Sequence, residues 1–346
     1  MRRYDICFHP GWWNQNAGID FSRPFWDDPE LRIAADVKMR RVLWDKFGSF
    51  GLGAENPEPR PLLGSDQTAC GFLFSEMLGC RVIYSAETSP EVICAKLEDD
   101  EAFALQVPNF DNNPVWQRVQ KQIDWLMEHY GRVESYLNLM GVQNIALDLR
   151  GQDLFMDYYD EDSPAQHLLD VACETMIEAS RRLMMYTDEL SAGVTNIVEQ
   201  VCPKAYVTSN CTVEMVSQDS YEENLLRYDQ RLADEFPHFG IHHCGKTMEH
   251  VVKGYAKVSG LEFAEVGAFS DLRAVADALP ENVLINARYS PLQLMKTDAG
   301  MLREELEEMT HIVPGERLSV SCVGIDKSVS DEKVRLFLTE CSRLLD

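Results

Sequence analysis

The residues best suited to chemistry lie in the segment FPHFGIHHCGKTMEH, residues 236–250, where two histidines and a cysteine follow an apolar run. Alternate residues of an extended segment point the same way, so His242 and Cys244 would share a face that His243 does not. Imidazole nitrogen and thiolate sulfur are ligands that zinc prefers. The spacing therefore indicates a metal site, although histidine and cysteine packed in a core would give the same pattern.

The elements that would position these residues follow a regular order. Short apolar segments, predicted as strands, alternate with longer amphipathic segments, predicted as helices, which is typical of βαβ units and a parallel sheet. The predicted strands are residues 144–149, 204–210, 238–244, 261–267, 282–288 and 318–324. The predicted helices of this part are residues 163–190, 217–236, 270–280 and 330–345. With two further units before residue 140, the pattern predicts an α/β fold, a single (β/α)8 TIM barrel with N-terminal additions.

The N-terminal part shows weaker signals. Residues 29–48 and 113–131 are predicted helices, residues 48–64 a loop, and residues 80–86 a short strand or hairpin. No linker or low-complexity tract divides the chain. We therefore expect one domain over residues 1–346, in which residues 1–80 form a cover segment packed on the barrel.

In such a barrel, functional side chains gather at the C-terminal ends of the strands. Cys322 would then join His242 and Cys244 as a third metal ligand, and Glu265 would be a displaceable fourth one. Cys211, at the end of the strand before His242, is a rival metal ligand. Other candidates at this end are Asp148 and Asn210 for the chemistry, and Arg150 and Arg288 for substrate binding.

The composition excludes several classes of partner. The formal net charge of −25 repels phosphate backbones and anionic lipid, which argues against nucleic acid and membranes. Without an apolar run of bilayer length or a secretory signal, a cytoplasmic location is expected. The ten cysteines would then be thiols or metal ligands rather than disulfides. The oligomeric state stays open, a homodimer included.

At these residues the chain resembles the uroporphyrinogen decarboxylase superfamily. The segment LDLRGQDLFMDYYDEDSPAQHLLDV resembles that family's Arg-Gly turn and following helix. The segments SQDSYEENLLRYDQRLADEF and GIHHCGKT resemble its next helix and the H-x-C-G after it. The resemblance covers about two thirds of the chain and implies a (β/α)8 barrel.

Two branches of that family differ in chemistry. The porphyrin decarboxylases hold substrate carboxylates with an R-Q-A-G-R segment, and the nearest match here, NQNAGID, has Gln15 and Ile19 where arginines belong. Asp66 does not reproduce the spacing of the decarboxylase aspartate, and Cys322 stands at or beside the position of a histidine. The zinc methyltransferases carry H-x-C followed much later by C, which His242, Cys244 and Cys322 match. The resemblance therefore favours the methyltransferase branch.

This branch implies Zn2+ as a cofactor and a corrinoid (cobalamin) presented by a partner protein. The implied reaction moves a methyl group between that corrinoid protein and a small acceptor such as a thiol or folate. Trp12 and Trp13 would contact a flat or cationic small molecule, or would instead pack the N-terminal cover.

Two alternatives stay open. A porphyrinogen decarboxylase would need arginines at the mouth of the barrel, which Arg23, Arg150 and Arg288 could supply. A non-catalytic tetrapyrrole- or corrinoid-binding protein would carry a closed, structural zinc site.

Overall fold

The computed structural model describes residues 2–191 and 193–345. Within them, the strands are β1 (Tyr4–Phe8), β2 (Leu62–Gly64), β3 (Arg81–Ile83), β4 (Glu91–Ile93), β5 (Glu134–Tyr136), β6 (Tyr206–Ser209), β7 (Phe239–His243), β8 (Leu261–Val266), β9 (Leu284–Arg288) and β10 (Leu318–Ile325). Six of them form one curled parallel sheet in the order β1-β10-β9-β8-β7-β6. Strands β2 and β5 form a separate parallel pair, and β3 and β4 form an antiparallel pair.

The α/β class and the parallel sheet are confirmed, whereas a closed barrel of eight strands is not shown by the backbone pairing. Five of the six predicted strands, β6 to β10, lie within two residues of their expected bounds. Strand β1 lies in the main sheet beside β10, so the N-terminal segment also contributes to the sheet itself.

The helices surround the strands. They are α1 (Pro10–Ala17), α2 (Arg23–Asp27), α3 (Pro29–Phe47), α4 (Leu73–Met77), α5 (Asp99–Ala104), α6 (Pro114–Tyr130), α7 (Val142–Arg150), α8 (Asp153–Asp157), α9 (Ala165–Leu183), α10 (Ile197–Val201), α11 (Gln218–Asn224), α12 (Leu226–Glu235), α13 (Val252–Tyr255), α14 (Leu272–Ala278), α15 (Pro291–Lys296), α16 (Ala299–Ile312) and α17 (Asp331–Leu345). Single 3-10 turns lie at Gly48–Phe50, Cys211–Met215 and Gly315–Arg317. No helix in the described ranges is long and apolar enough to cross a membrane.

Two predictions from the N-terminal half are wrong. Residues 144–149, predicted as a strand, lie inside helix α7, whose buried residues Ile145, Ala146 and Leu149 recur at helical spacing. The strand of this unit is β5, whose three residues are too few to show a periodic pattern. The predicted loop 48–64 ends in a strand, β2, which is buried over its whole length.

The cap residues explain why α3 and α6 begin and end where the sequence predicts. Asp28 accepts hydrogen bonds from the first backbone N–H groups of α3, and Asn113 does the same for α6. Helix α6 then ends at Gly131, whose φ of 69° is a left-handed conformation that glycine adopts without a steric cost.

The segment after β5 connects the two-stranded pair to the main sheet. The backbone N–H of Ser209 in β6 donates to the carbonyl oxygen of Met140 at 2.7 Å. The next residue, Gly141, lies so close to β6 that a Cβ atom would stand 2.0 Å from the carbonyl oxygen of Ser209. Only glycine permits this approach, which holds the start of α7 against the end of β6.

Trp12 and Trp13 belong to the core rather than to a ligand-binding wall. Each is 1% exposed, and the ring of Trp12 stacks on that of Phe8 with the centroids 3.7 Å apart. The indole N–H of Trp13 donates to the carbonyl oxygen of Gln67 at 2.9 Å. The substrate-binding role predicted for the two tryptophans is therefore corrected, since neither ring offers a free face to a ligand.

Candidate metal centre and cleft

A row of polar residues crosses the main sheet near the C-terminal ends of its strands. In the strand register, Ser209 pairs with His242, His242 with Glu265, and Glu265 with Asn286. Directly paired residues point to the same face of a sheet, so these side chains share the inner face. The row explains how residues far apart in sequence meet at one end of the fold.

Three potential metal ligands meet beside this row. One ligand atom each of Cys211, His242 and Cys244 lies within 4.8 Å of the other two. His242 is buried, Cys211 is half-buried and Cys244 is exposed. The predicted proximity of His242 and Cys244 is confirmed, and Cys211, the rival candidate, completes the group of potential ligands.

The turn after β7 fixes the position of Cys244. Glu214 accepts a hydrogen bond from the backbone N–H of Lys246, and its carboxylate lies against Gly245. A Cβ atom at residue 245 would stand 2.5 Å from Oε2 of Glu214, so a larger residue would displace the turn. The contact with Glu214 therefore explains on steric grounds why residue 245, the last of the H-x-C-G motif, is glycine.

The carboxylate of Glu265 holds the His242 ring. Its Oε2 lies 2.5 Å from Nδ1 of His242, and the Glu265 side chain is fully buried. Its Oε1 lies 3.3 Å from Nε of Arg288, but it makes no hydrogen bond within the described residues. Because Nδ1 is engaged, Nε2 is the ring nitrogen left to bind a metal ion, an arrangement typical of histidine ligands.

The charges of the group favour metal binding by its sulfurs. The hydrogen bond with Cys211, whose sulfur lies 2.8 Å away, lowers the pKa of Cys244, and the neighbouring His242 acts in the same direction. The same hydrogen bond raises the pKa of Cys211. Burial alone would lower the pKa of His242, but the charges of Glu265 and Cys244 outweigh it and raise that pKa to about 9. The two shifts favour the thiolate form at Cys244 and the thiol form at Cys211.

The group lies on the wall of an open cleft of about 410 Å³. The polar residues that line the cleft with it are Asn138, Asn144, Asp148, Ser209 and Thr212. Apolar side chains, among them Met140, Leu147, Val92 and Val194, cover the remaining wall. A small molecule in this cleft would reach the exposed sulfur of Cys244.

Cys322 does not join the group, which corrects the expected third ligand. Within the described ranges, the cluster of potential ligands at this end is formed by Cys211, His242 and Cys244. Cys322 pairs with Ile6 in the register and is fully buried in the apolar core. Its neighbour Ser321 accepts a hydrogen bond from Asn286 on the inner face, so strand alternation turns Cys322 to the opposite face.

Of the remaining predicted site residues, one lines the cleft and two lie outside it. Asp148 lines the cleft, and its Oδ2 accepts a hydrogen bond from Ser75 at 2.6 Å. Asn210 is buried and donates to Asp229 at 2.7 Å, behind the metal group. Arg150, which was predicted to bind substrate, instead pairs with Asp157 and Asp99 and does not line the cleft.

Sequence reasoning missed part of the cleft. Asn138, Asn144 and Thr212 line it without any motif that would have marked them. Met140 also lines it, with a φ of 48° that a non-glycine residue rarely adopts. Its backbone N–H donates to Oδ1 of Asn138 at 2.7 Å, which stabilises the turn.

The donor set fits zinc. Two sulfurs and one imidazole nitrogen are the soft ligands that zinc prefers, and three protein ligands with an open side are typical of catalytic zinc sites. The open side here is the cleft, toward which Cys244 is exposed. A structural zinc site would instead be closed by a fourth protein ligand.

Comparisons with known proteins identify the fold. No family model matches the sequence, and no curated protein matches it. A solved structure of a methyltransferase from Methanosarcina mazei matches with a TM-score of 0.68 and 15% identity, covering 100% of this chain and 95% of that one. B12-independent methionine synthases from Shewanella sp. W3-18-1 (TM-score 0.49, 12% identity, 99% and 96% covered) and Listeria monocytogenes (0.43, 11%, 91% and 88%) also match.

At this identity, the likeness to the Methanosarcina protein shows the fold. The chain shares the fold of that protein over its whole length, which confirms the predicted resemblance at the level of architecture.

Proposed function

We propose that this protein is a zinc-dependent methyltransferase that methylates a small thiol. The observation that carries the proposal is the meeting of Cys211, His242 and Cys244 beside an open cleft, in a chain with the fold of a methyltransferase. Two sulfurs and a nitrogen hold zinc, and the cleft admits the acceptor.

Each residue of the proposed zinc site has a distinct role. Glu265 fixes the His242 ring through Nδ1, and Arg288 neutralises part of the buried carboxylate charge. Cys211 and Cys244 supply the two sulfurs. Zinc, when bound there, would keep the acceptor thiol deprotonated at neutral pH, since a free thiol is only a few per cent thiolate.

Asp148 gives the cleft a negative end. In the described part of the chain it forms no ion pair, and its recorded side-chain partner is the hydroxyl of Ser75. Burial raises the pKa of Asp148, and a cation beside the carboxylate would oppose that shift by stabilising the charged form. We therefore propose that Asp148 binds a positively charged group of the acceptor, such as an amine.

The methyl donor that we propose is a corrinoid carried by a partner protein. The resemblance of the sequence to the zinc methyltransferase branch supports this choice, together with the open, solvent-facing position of Cys244. The exposed sulfur allows a large donor to approach from outside while the small acceptor occupies the cleft.

The architecture proposed with this function is a single-domain, closed (β/α)8 barrel. Eight of the strands are parallel to a neighbour and follow one another along the chain, with helices between them. The hydrogen bond between Ser209 and Met140 links β6 to the segment after β5, which supports closure on that side.

The arginines do not favour a porphyrinogen decarboxylase. Arg23 pairs with Asp27, and Arg150 pairs with Asp99 and Asp157. Arg288 alone of the three lies at the site, where Glu265 already engages it. A substrate rich in carboxylates would therefore meet Asp148 rather than a set of free cations.

A transfer assay tests the proposal. Zinc-loaded protein is mixed with methylcobalamin and either cysteamine or 2-mercaptoethanol, and the methyl thioether is measured by mass spectrometry. We expect transfer to both thiols, faster to cysteamine because of its amine, and at least about 100-fold slower transfer in His242→Ala. Transfer that is unchanged in His242→Ala, or no transfer with methylcobalamin and with a methylated folate alike, would overturn the proposal.

A further inference from the structure

Cys211 and Cys244 lie close together, each just beyond the end of one of the neighbouring strands β6 and β7. Ser209 pairs with His242 in the register of β6 and β7. Cys211 lies two residues after Ser209, and Cys244 lies two residues after His242. The strands that lead into the two cysteines are about 4.8 Å apart, and a disulfide spans Cα separations of about that size. The two sulfurs already lie 2.8 Å apart, so a small side-chain rotation would bring them to bonding distance.

The pair is also accessible. Cys244 is exposed at the wall of the cleft, and Cys211 is half-buried behind it. Cys322, Cys173 and Cys341 are buried and have no such access. Cys70 is half-buried and also lines the cleft, but it does not belong to the group of close ligand atoms. A reagent that enters the cleft would therefore meet Cys244 first and Cys211 next.

We propose that Cys211 and Cys244 form a reversible disulfide when the protein is free of metal, and that low-molecular-weight disulfides such as oxidised glutathione form it. The disulfide removes both sulfur ligands, so it closes the site to zinc. Metal binding and oxidation would then exclude each other at one pair of residues. The effect on the metal rests on the proposed function, whereas the disulfide itself does not.

The reaction proceeds by two exchanges. The thiolate of Cys244 attacks one sulfur of oxidised glutathione, forms a mixed disulfide and releases one glutathione thiolate. The sulfur of Cys211 then attacks the Cys244 sulfur of the mixed disulfide, forms the internal bond and releases the second glutathione. The protein thiols lose two electrons and two protons in total, and the glutathione disulfide gains them.

Zinc protects the pair against this reaction. A thiolate bound to zinc donates its lone pair to the metal and is less available as a nucleophile. We therefore expect that zinc-loaded protein resists oxidised glutathione and that metal-free protein does not. The ratio of metal to oxidant would set the fraction of protein that is active.

The test uses metal-free, full-length protein treated with oxidised glutathione and analysed by mass spectrometry of the whole chain and of its proteolytic peptides. Wild-type protein should lose the mass of two hydrogen atoms and yield a peptide that links residues 211 and 244. Cys211→Ala should stop at one glutathione adduct on Cys244. Cys322→Ala is the matched control and should behave as wild type.

Three results would overturn the inference: a stable glutathione adduct on wild-type protein, a link to another cysteine, or equal oxidation of the zinc-loaded form. Oxidised wild-type protein should also bind no zinc until dithiothreitol is added. The two proposals fail separately. If the reduced protein binds zinc but the Cys211–Cys244 disulfide does not form, only the disulfide proposal fails. If the disulfide forms but the reduced protein binds no zinc, only the metal site fails.

Discussion

The carboxylate of Glu265 lies 2.5 Å from Nδ1 of His242, and both side chains are buried on the inner face of the sheet. The two residues are register partners on β7 and β8, so the sheet itself sets their distance. The sequence suggested that Glu265 is a displaceable metal ligand. In the structure Glu265 orients the ring of His242, and its Oε2 is engaged in doing so.

The first prediction concerns this orienting role. Glu265→Gln should weaken zinc binding by about 10- to 100-fold, as is usual when the partner of a histidine ligand is lost. At saturating zinc, the variant should still bind one zinc ion per chain, because the three ligands remain. Competition with a chelator of known affinity measures the change.

Glu262→Gln is the matched control for that experiment. Glu262 lies on the same strand and accepts from an exposed histidine, His238, at 2.8 Å. It should leave zinc affinity unchanged. Equal zinc affinities of wild type and Glu265→Gln would show that Glu265 neither orients the His242 ring nor binds the metal ion.

The second prediction concerns Asp148. Asp148→Asn should raise the KM for cysteamine while leaving the KM for 2-mercaptoethanol and the zinc content unchanged, because only the amine would contact the carboxylate. A loss of about 1.5–3 kcal/mol, the range for a hydrogen bond to a charged group, corresponds to roughly 10- to 100-fold in kcat/KM. Asp153→Asn, at an exposed site on α8, is the control. An equal effect on both thiols would contradict the assignment.

The third prediction concerns the N-terminal tryptophans. Trp12→Ala should lower the free energy of unfolding by about 3–5 kcal/mol, because a buried aromatic ring stacked on Phe8 is lost. Urea denaturation measures this change. Trp44→Ala, at a position that is 37% exposed, should cost much less. If Trp12→Ala were as stable as wild type but failed to bind substrate, the ring would be part of the binding site.

The fourth prediction concerns the support behind the metal group. Burial raises the pKa of Asp229 to about 6, although hydrogen bonds from Tyr221 and Asn210 oppose the shift. A raised folded-state pKa means that the native state binds the proton more tightly. The contribution of Asp229 to stability is therefore greatest below pH 3.8 and falls as the pH rises toward about 6.

Asp229→Asn should remove this dependence. The difference in unfolding free energy between wild type and variant should change by about 3 kcal/mol between acid and neutral pH, in favour of the variant at neutral pH. Denaturation across that pH range measures it. Asp234→Asn, exposed on the same helix, is the control. Parallel curves for wild type and Asp229→Asn would contradict the prediction.

The regular half of the fold was predictable, and the reason is physical. Strands β6 to β10 are buried, apolar and separated by amphipathic helices, so each gives a strong local signal. Strands β2 and β5 have three residues each, which is too short for a period to appear. The stronger apolar run after β5 belongs to helix α7, although its apolar residues also fit the pattern of a buried strand.

The site was predictable in part for a similar reason. The H-x-C spacing lies within one strand, so alternation alone places His242 and Cys244 together. The third ligand depends on the register between strands and on which face Cys322 takes, and the sequence does not show either. Cys211 reaches the group from a 3-10 turn after β6, where no periodic pattern marks the direction of a side chain.

X-ray absorption spectroscopy of the zinc-loaded protein tests the central claim most directly. We predict two sulfurs at about 2.3 Å and one imidazole nitrogen at about 2.0–2.1 Å from zinc in the wild type and in Cys322→Ala. In Cys211→Ala one of the two sulfurs should be lost. Two sulfurs retained in Cys211→Ala, with one lost in Cys322→Ala, would contradict the ligand set of Cys211, His242 and Cys244.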